Sequence, residues 1–503
     1  MYQIAERKLN NIVFCLHKKA GLAACLFLCA VLTTSVKAQE WKFDATTQRA
    51  YDLVLNLQTE EAHALIPTPE TPQEHYIVAL AEALELMITE DVEKFSDYED
   101  RFEKRQERKS KLSSPEDLFL QAEIGLQWSF IYLKYGHEFD AALNLRQAYQ
   151  TTQEIKKRFP TFNAIKKTSG LLDIIIGSVP EKYDWVLGLL NMEGSTELGL
   201  KELSSIQDTD HALAFESSLL YALTQGFVLE QTSLALTEIK KDIAANPTNK
   251  LALFLGASLA IKNSQSEEAL RFINKLSEQS QGLPLYYADY LRGEIYLHKG
   301  EYLNATSAYR AFIGNYKGVN YMKDANYKIG LCYWLNGNSS DAKVIFKQAK
   351  TIGKESAEAD KYAARSMAEN ELPHIKLTKA RYSTDGGYYD EAKKVLASIT
   401  TQELPTKRDQ VEFAYRKARV AHKTNDLSTA KEFYLQTIKI NGEEPWYFAP
   451  NASLQLGYIA LAEKNTTQAR DYFKRALSYK KHEYKNSIDS KAKSALAQLN
   501  ESK

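Results

Sequence analysis

Residues 290–312, YLRGEIYLHKGEYLNATSAYRAF, contain the pattern that decides the fold of this chain. Gly293 is followed twelve residues later by Ala305, and Tyr309 comes four residues after that alanine. The same order of a small residue, an alanine and a large apolar or aromatic residue occurs four more times: Gly330–Ala342–Phe346, Ala380–Ala392–Leu396, Ala418–Ala430–Tyr434 and Gly457–Ala469–Phe473. The alanines lie 37, 50, 38 and 39 residues apart, which is close to the period of paired-helix solenoids.

Each repeat predicts a helical hairpin, and such hairpins must stack because two short helices cannot bury an apolar stripe alone. We expect the small residue to let the second helix approach and the alanine to lie where the helices cross. The aromatic residue should fill the space between adjacent hairpins. In this pattern the chain resembles tetratricopeptide-repeat proteins, most clearly over residues 286–477. The resemblance implies an all-α, right-handed solenoid of helical hairpins.

The chain divides into four segments. Residues 1–38 form a signal segment, 39–205 an irregular α-helical N-terminal region, 206–477 the repeat array and 478–503 a C-terminal capping helix. A capping helix is expected because the last repeat would otherwise expose an apolar face.

The first 38 residues have the layout of a secretory signal. Two lysines precede the apolar run 20–32, and small residues at 36 and 38 predict cleavage before Gln39. An uncleaved anchor is the alternative, because the apolar run is close to the shortest length for a membrane span. Cys25 follows a lipoprotein-like Leu-Ala-Ala, but the apolar run continues beyond it, which argues against lipidation. We expect an exported protein.

The charge balance argues against a nucleic-acid partner. Lys and Arg total 64, as do Asp and Glu, and the first 38 residues hold five basic side chains and one acidic one. The rest therefore carries 59 basic and 63 acidic side chains, a net charge of −4. Phosphate backbones attract clustered positive charge, and this charge balance gives no sign of such a cluster. Three of the four cysteines lie in the leader, so Cys332 alone provides neither a disulfide nor a thiolate metal site.

The sequence contains no recognisable catalytic motif. It lacks a phosphate-binding glycine loop, a His-Glu-x-x-His zinc motif and a Gly-x-Ser-x-Gly nucleophile motif. The tightest cluster of acids and histidine, residues 208–211, is typical of a helix N-terminus, with metal binding as the alternative. We therefore expect a protein that is not an enzyme, with no catalytic residue, no metal and no cofactor.

The repeat register predicts which side chains face a partner. In tetratricopeptide repeats the first helix lines the groove, with positions three before, one after, and four or five after the small residue directed into it. By this resemblance the partner-binding candidates are Tyr290, Tyr327, Trp334, Tyr415, Arg419, His422 and Tyr458. Tyrosine and tryptophan are typical binding anchors. The alternative is that these rings only pack between repeats.

Residues 170–203 resemble one particular family of tetratricopeptide-repeat proteins. They contain Gly-Leu-Leu, Val-Pro, a Leu-Leu pair and spaced glycines before Gly-Leu, and we expect those glycines to mark close helix packing or turns. This segment resembles the signature of the inclusion-body-clearance and outer-membrane tetratricopeptide family of bacterial envelopes, from which Asn191 and Ser195 depart.

The family resemblance implies a non-enzymatic protein–protein interaction scaffold that binds extended or helical segments of other proteins in its groove. It also implies a location in the periplasm or at the periplasmic face of the outer membrane, with peripheral association with that membrane. The alternative is a glycan-binding or other small-ligand-binding envelope protein of the starch-binding lipoprotein type. That class carries a lipobox cysteine at the end of its leader and long loops rich in Gly, Asn and Pro, and this sequence has neither.

Overall fold

The structure is a computed structural model that describes residues 40–107, 114–179, 187–188, 190–207, 209, 211–368 and 372–501. All regular structure in these ranges is helical: twenty-four α-helices, one π-helical turn and one 3-10 turn. The prediction of an all-α chain is therefore confirmed. The predicted signal segment, residues 1–38, lies outside the described residues.

Eight helices form the N-terminal region. They are α1 (Ala45–Leu55), α2 (Thr59–Leu65), α3 (Pro72–Thr89), α4 (Val92–Glu107), α5 (Pro115–Tyr135), α6 (Glu138–Arg158), α7 (Ile165–Gly177) and α8 (Thr196–Gln207). Helix α5 begins and ends as the sequence predicts. Ser114 accepts a hydrogen bond from the backbone N–H of Asp117, proline occupies the first helical position, and Gly136 ends the helix in the left-handed region with φ 87°.

Four of the glycines in residues 170–203, namely Gly170, Gly177, Gly194 and Gly199, lie where α7 packs against α8 and the residues just before it, whereas a Cβ atom on Gly188 would meet no atom within 4 Å. A Cβ atom on Gly199 would lie 2.4 Å from the carbonyl oxygen of Gly170, and one on Gly194 would lie 2.8 Å from the carbonyl oxygen of Asp173. Any side chain larger than hydrogen would collide with backbone at these positions. The prediction of close helix packing in this segment is therefore confirmed.

Sixteen helices follow among the described residues, which form seven hairpins and two single helices, Glu358–Ala368 and Lys485–Glu501. They are α9 (Ala214–Leu223), which continues into the π-helical turn Thr224–Val228, α10 (Thr232–Ala245), α11 (Lys250–Lys262), α12 (Ser266–Ser277), α13 (Tyr287–Lys299), α14 (Tyr302–Asn315), α15 (Met322–Leu335), α16 (Ser339–Ala349), α17 (Glu358–Ala368), α18 (Ile375–Gly386), α19 (Tyr389–Ala397), α20 (Lys407–Lys423), α21 (Leu427–Asn441), α22 (Phe448–Ala462), α23 (Thr466–Ser478) and the final α24 (Lys485–Glu501).

The repeated pattern packs within each hairpin. A Cβ atom on Gly293 would lie 2.6 Å from the ring of Tyr309, and one on Gly457 would lie 2.5 Å from the ring of Phe473. The alanines of the pattern are fully buried, as in Ala305 with 0% of its surface exposed. The sequence predicted that the ring would lie between adjacent hairpins. The structure shows that the ring also packs within its own hairpin, because the missing glycine side chain provides the space for it.

The turns between paired helices require a residue in the left-handed region. Gly300, Gly337 and Gly387 occupy this position with φ of 83°, 87° and 86°. Asn425 and Lys464 occupy the equivalent position in the last two hairpins with φ of 60°. Glycine adopts this conformation without steric cost, whereas lysine does not. The turn before α23 is therefore strained.

Helix α17 interrupts the alternation of hairpins and packs against α15. It accounts for the wide interval of 50 residues between two of the repeat alanines. After it the chain folds back, because α18 packs against α13. The ring of Tyr382 stacks on His298 at 5.9 Å, and the hydroxyl of Tyr388 donates to the carboxylate of Glu267 at 2.9 Å. Helix α18 therefore covers the groove-facing side of α13.

A buried charged cluster joins the N-terminal region to the array. The Glu216 carboxylate on α9 accepts hydrogen bonds from Tyr51 at 2.8 Å and Tyr76 at 2.5 Å. The Lys167 ammonium lies 2.6 Å from Glu216 and 2.7 Å from Glu123. Burial raises the pKa of Glu123, although the charge of Lys167 opposes the change. Each group has a partner, as buried charges require.

None of the described helices is both long and apolar enough to cross a lipid bilayer.

Candidate binding surface

The first helices of the hairpins line the concave side of the array. Contacts run from α9 to α11, from α11 to α13, from α18 to α20, from α20 to α22 and from α22 to α24. Helices that contact their counterparts in the next hairpin follow the shorter, inner path of a solenoid. The second helices, such as α21, lie on the convex side, where Leu435 is 45% exposed.

The structure divides the predicted partner-binding residues by burial. Three are buried, namely Tyr290, Tyr327 and Tyr415, with 4%, 6% and 4% of their surface exposed. The other four are partly exposed: Trp334, Arg419, His422 and Tyr458. Partner binding stays a prediction for all seven, and their contacts within the chain show which of them remain accessible.

Tyr290 belongs to a buried charged cluster between α13 and α15. Its hydroxyl donates to Asp324 at 2.5 Å and accepts from Lys328 at 2.9 Å. Lys328 also lies 2.9 Å from Asp324 and 2.6 Å from Glu294. Burial opposes ionisation of Lys328, but the charges of the two carboxylates raise its pKa. These groups satisfy one another, so the polar end of Tyr290 is engaged within the chain.

Tyr327 and Trp334 also contact other parts of the chain. The ring of Tyr327 lies 5.6 Å from Phe346 and 6.4 Å from Tyr362. The indole N–H of Trp334 donates to the backbone carbonyl of Pro373 at 2.9 Å. These contacts join neighbouring helices, which agrees with the alternative that these rings pack within the chain.

A different arrangement lies further along the concave side, and we name it the arginine–tyrosine surface. It consists of Tyr362, Arg381, Tyr415, Arg416, Arg419, Lys423 and Tyr447. The guanidinium carbon of Arg381 lies 5.6 Å from the ring centre of Tyr362. That of Arg416 lies 5.4 Å from the ring centre of Tyr415. Contacts of this kind attract the cation to the face of the ring, so they fix the arginines in place.

Two of the three arginines have a carboxylate partner within the described part of the chain. Arg381 donates to the hydroxyl of Tyr362 at 2.9 Å and lies 3.7 Å from the carboxylate of Asp385. Arg416 pairs with Glu412 at 2.7 Å and donates to the hydroxyl of Tyr447 at 3.1 Å. The positive charge of Arg381 lies beside the hydroxyl group of Tyr362 and lowers the pKa of that group.

Arg419 differs from both. Within the part of the chain that the structure describes, no carboxylate lies within 4.0 Å of its guanidinium group. The phenol groups of Tyr415 and Tyr434 lie beside it, and Asp385 acts on it only from beyond ion-pair distance. Arg419 is therefore a partly buried cation without an anionic partner.

The next turn of α20 adds to this positive potential. Burial, together with the positive charges of Arg419 and Lys423, lowers the pKa of His422 to about 4. Burial and the charge of Arg419 also lower the pKa of Lys423, although Asp385 opposes the change. His422 is consequently neutral at pH 7, and its Nδ1 lies 3.2 Å from the hydroxyl of Tyr434. The local charge is that of Arg419 and the exposed Lys423.

Of the seven members of this surface, the predicted partner-binding residues included only Tyr415 and Arg419. Arg381 follows Ala380 as Arg419 follows Ala418, so the register that selected Arg419 also points to Arg381. Tyr362 lies on α17, which is outside the repeat, and the pattern carries no signal for it.

Other parts of the described structure contain weaker candidates for a binding site. No group of three or more His, Cys, Asp or Glu side chains is placed to hold a metal ion among the residues it covers. The acidic residues of the 208–211 cluster lie outside that coverage. A cleft of about 250 Å³ lies beside α11, α12 and α13. The ammonium group of Lys250 at this cleft donates to the backbone carbonyls of Gln281 and Leu283, so it is engaged in holding the loop.

Models of the tetratricopeptide repeat match residues 324–351, in the α15–α16 hairpin, and residues 450–483, in the α22–α23 hairpin. These matches confirm the resemblance to tetratricopeptide-repeat proteins. No curated protein is similar enough to the sequence to count as a match.

Solved structures of human IFIT1 are similar over most of the chain. One is the human IFIT1 dimer with PPP-AAAA, at 15% identity and a TM-score of 0.31, covering 87% of this chain and 95% of that one. Another is the human IFIT1 dimer with m7Gppp-AAAA, at 16% identity and a TM-score of 0.30, with the same coverage of 87% and 95%. TM-scores this low give no indication of a shared ligand.

Proposed function

We propose that this tetratricopeptide-repeat protein is a non-enzymatic scaffold that binds a segment of another protein on the concave side of α20 and α22. The observation that carries the proposal is the state of Arg419, which is partly buried and has no described carboxylate partner. A cation withdrawn from water is costly unless an anion or hydrogen-bond acceptor compensates it. The hydroxyl of Tyr434 compensates this charge in part, and a partner that supplies a carboxylate would compensate it more fully, which favours binding.

The repeat geometry extends this site into a row. Arg381, Arg419 and Tyr458 each follow directly after the small residue of their hairpin. Residues at the same position of stacked hairpins lie side by side, so the three form neighbouring contacts along the concave side. The ring of Tyr458 packs edge-on against Phe473 at 5.3 Å and stays partly exposed. An extended protein segment would meet two cations and one aromatic anchor in succession.

The proposal includes export to the bacterial cell envelope, in the periplasm or at the periplasmic face of the outer membrane. Support comes from the leader-like sequence before Gln39 and from the resemblance of residues 170–203 to an envelope family. Fractionation of native cells tests this location. We expect a mature protein that begins at Gln39 in the envelope fraction, and recovery of the full-length chain from the cytoplasm alone would contradict export.

Site-specific photo-crosslinking tests the binding surface. A photoreactive phenylalanine replaces Tyr458 on the concave side, and the matched control replaces Leu435, which is 45% exposed on the convex side. In native cells, crosslinks to one defined partner segment should form from position 458 and be absent from position 435. Equal crosslinking from both positions, or none from position 458, would contradict the proposed surface.

A further inference from the structure

The pairing of the arginines distinguishes one of them as a ligand-binding group. The guanidinium groups of Arg381 and Arg416 each have a carboxylate nearby, Asp385 at 3.7 Å and Glu412 at 2.7 Å. Arg419 presents the same planar fork of donors and is hydrogen-bonded to the hydroxyl of Tyr434, but no described carboxylate lies within 4.0 Å of it. A planar guanidinium is suited to a carboxylate, which it can bind through two parallel hydrogen bonds.

The surroundings of Arg419 favour a single carboxylate over a continuous chain of phosphates. Lys423 adds one exposed positive charge one helical turn away, whereas Asp385 contributes negative charge nearby and Glu412 is paired with Arg416 on the same helix. A polyphosphate backbone would meet these carboxylates, and the chain beyond residue 38 carries a net charge of −4. A protein segment can place one acidic side chain at Arg419 and an apolar side chain against Tyr458.

We infer that Arg419, assisted by Lys423, binds the carboxylate of an Asp or Glu side chain in an extended acidic segment of a partner protein. This inference rests on the proposed function, because it names the chemistry of the segment that the concave side takes. Arg419 sets the preference for an acidic residue, and Tyr458 provides the neighbouring aromatic contact.

Binding of synthetic peptides to the purified protein tests the inference. The probe is a fluorescent, end-capped peptide of glycine and serine that carries several glutamates and two tyrosines, and its twin carries glutamine at every glutamate. Capped ends remove any terminal carboxylate. The variants are Arg419→Gln and Lys423→Gln. The matched control is Lys439→Gln, which removes one exposed charge from the convex helix α21.

We expect the wild-type protein to bind the glutamate peptide about tenfold or more tightly than its twin, with the preference falling as salt rises. Arg419→Gln should abolish the preference and Lys423→Gln should reduce it. Lys439→Gln should retain it. Lys423 is exposed, so its substitution reports on binding even if Arg419→Gln disturbs the fold.

Three results would overturn the inference. The first is equal affinity for both peptides, including no binding of either. The second is a folded Arg419→Gln variant that keeps the preference. The third is tighter, Arg419-dependent binding of a single-stranded RNA of matched charge. If the preference is absent while crosslinks from position 458 persist, the acidic chemistry is wrong and the proposed surface stands. If those crosslinks are absent, the proposed function itself fails.

Discussion

Replacing Gly457 by alanine should destabilise the α22–α23 hairpin by about 1–2 kcal/mol. The new Cβ atom would lie 2.5, 2.6 and 2.9 Å from Cε1, Cδ1 and Cζ of Phe473. Phe473 has 0% of its surface exposed, so its ring cannot turn into solvent to make room. Overpacking at such a position costs about 2–3 kcal/mol, and the better helix propensity of alanine offsets about 1 kcal/mol of that cost.

Two further variants isolate the contact between the glycine and the ring. Gly314→Ala on α14 places its methyl group where no atom lies within 4 Å, so it should stabilise the protein by up to about 1 kcal/mol. Phe473→Leu removes the ring, and in its presence Gly457→Ala should cost less than it does alone. The double-mutant cycle therefore gives a coupling energy of about 1 kcal/mol.

Urea denaturation followed by circular dichroism gives the overall change in stability. Native-state hydrogen exchange of the α22–α23 amides gives the local change, which matters because repeat arrays can open in parts. A Gly457→Ala variant as stable as Gly314→Ala, with no coupling to Phe473, would refute the account of how the repeated pattern packs.

Three other changes have defined outcomes. Lys464→Gly should stabilise the protein by up to about 1 kcal/mol in urea denaturation, because lysine holds a φ of 60° at a position that earlier hairpins give to glycine; no gain would contradict the strain. Glu216→Gln should lower the free energy of unfolding by about 2–3 kcal/mol, less than the loss of a whole pair since Lys167 keeps a second carboxylate; a change below about 0.5 kcal/mol would contradict this. Lowering the pH from 6.5 to 4 should reduce the thermal midpoint, because unfolded histidine binds a proton with a pKa near 6.5 whereas folded His422 does so only near 4. The loss should be smaller in His422→Gln, and identical pH profiles for the two proteins would argue against it.

The sequence predicts the hairpins well because their determinants are local. The spacing of Gly293, Ala305 and Tyr309 depends on one helix crossing the next, and the structure has those residues in contact within a single hairpin. The positions of Arg419 and His422 within the repeat also predicted that the two residues lie together on the concave side. Local patterns contain less information about contacts between distant parts of the chain.

The surroundings of Tyr327 illustrate that limit. Its ring lies 6.4 Å from that of Tyr362 on α17, an additional helix outside the repeated pattern. The wide interval of 50 residues between alanines signals an insertion, but it does not tell where the following hairpin will lie. The pairing of Arg381 with Tyr362 depends on the same rearrangement, and for that reason Arg419 could be distinguished from its neighbours only in the folded chain.

Arginine-specific modification by phenylglyoxal, mapped by mass spectrometry, tests the central claim most directly. The claim is that Arg419, which has no carboxylate partner within 4.0 Å among the described residues, lies on a concave protein-binding surface. In the isolated protein, we predict that Arg419 reacts well before Arg416, which is 8% exposed and paired with Glu412. The partner segment identified by crosslinking should then protect Arg419 from the reagent. Reaction of Arg416 as fast as Arg419, or no protection of Arg419 in the complex, would contradict the claim.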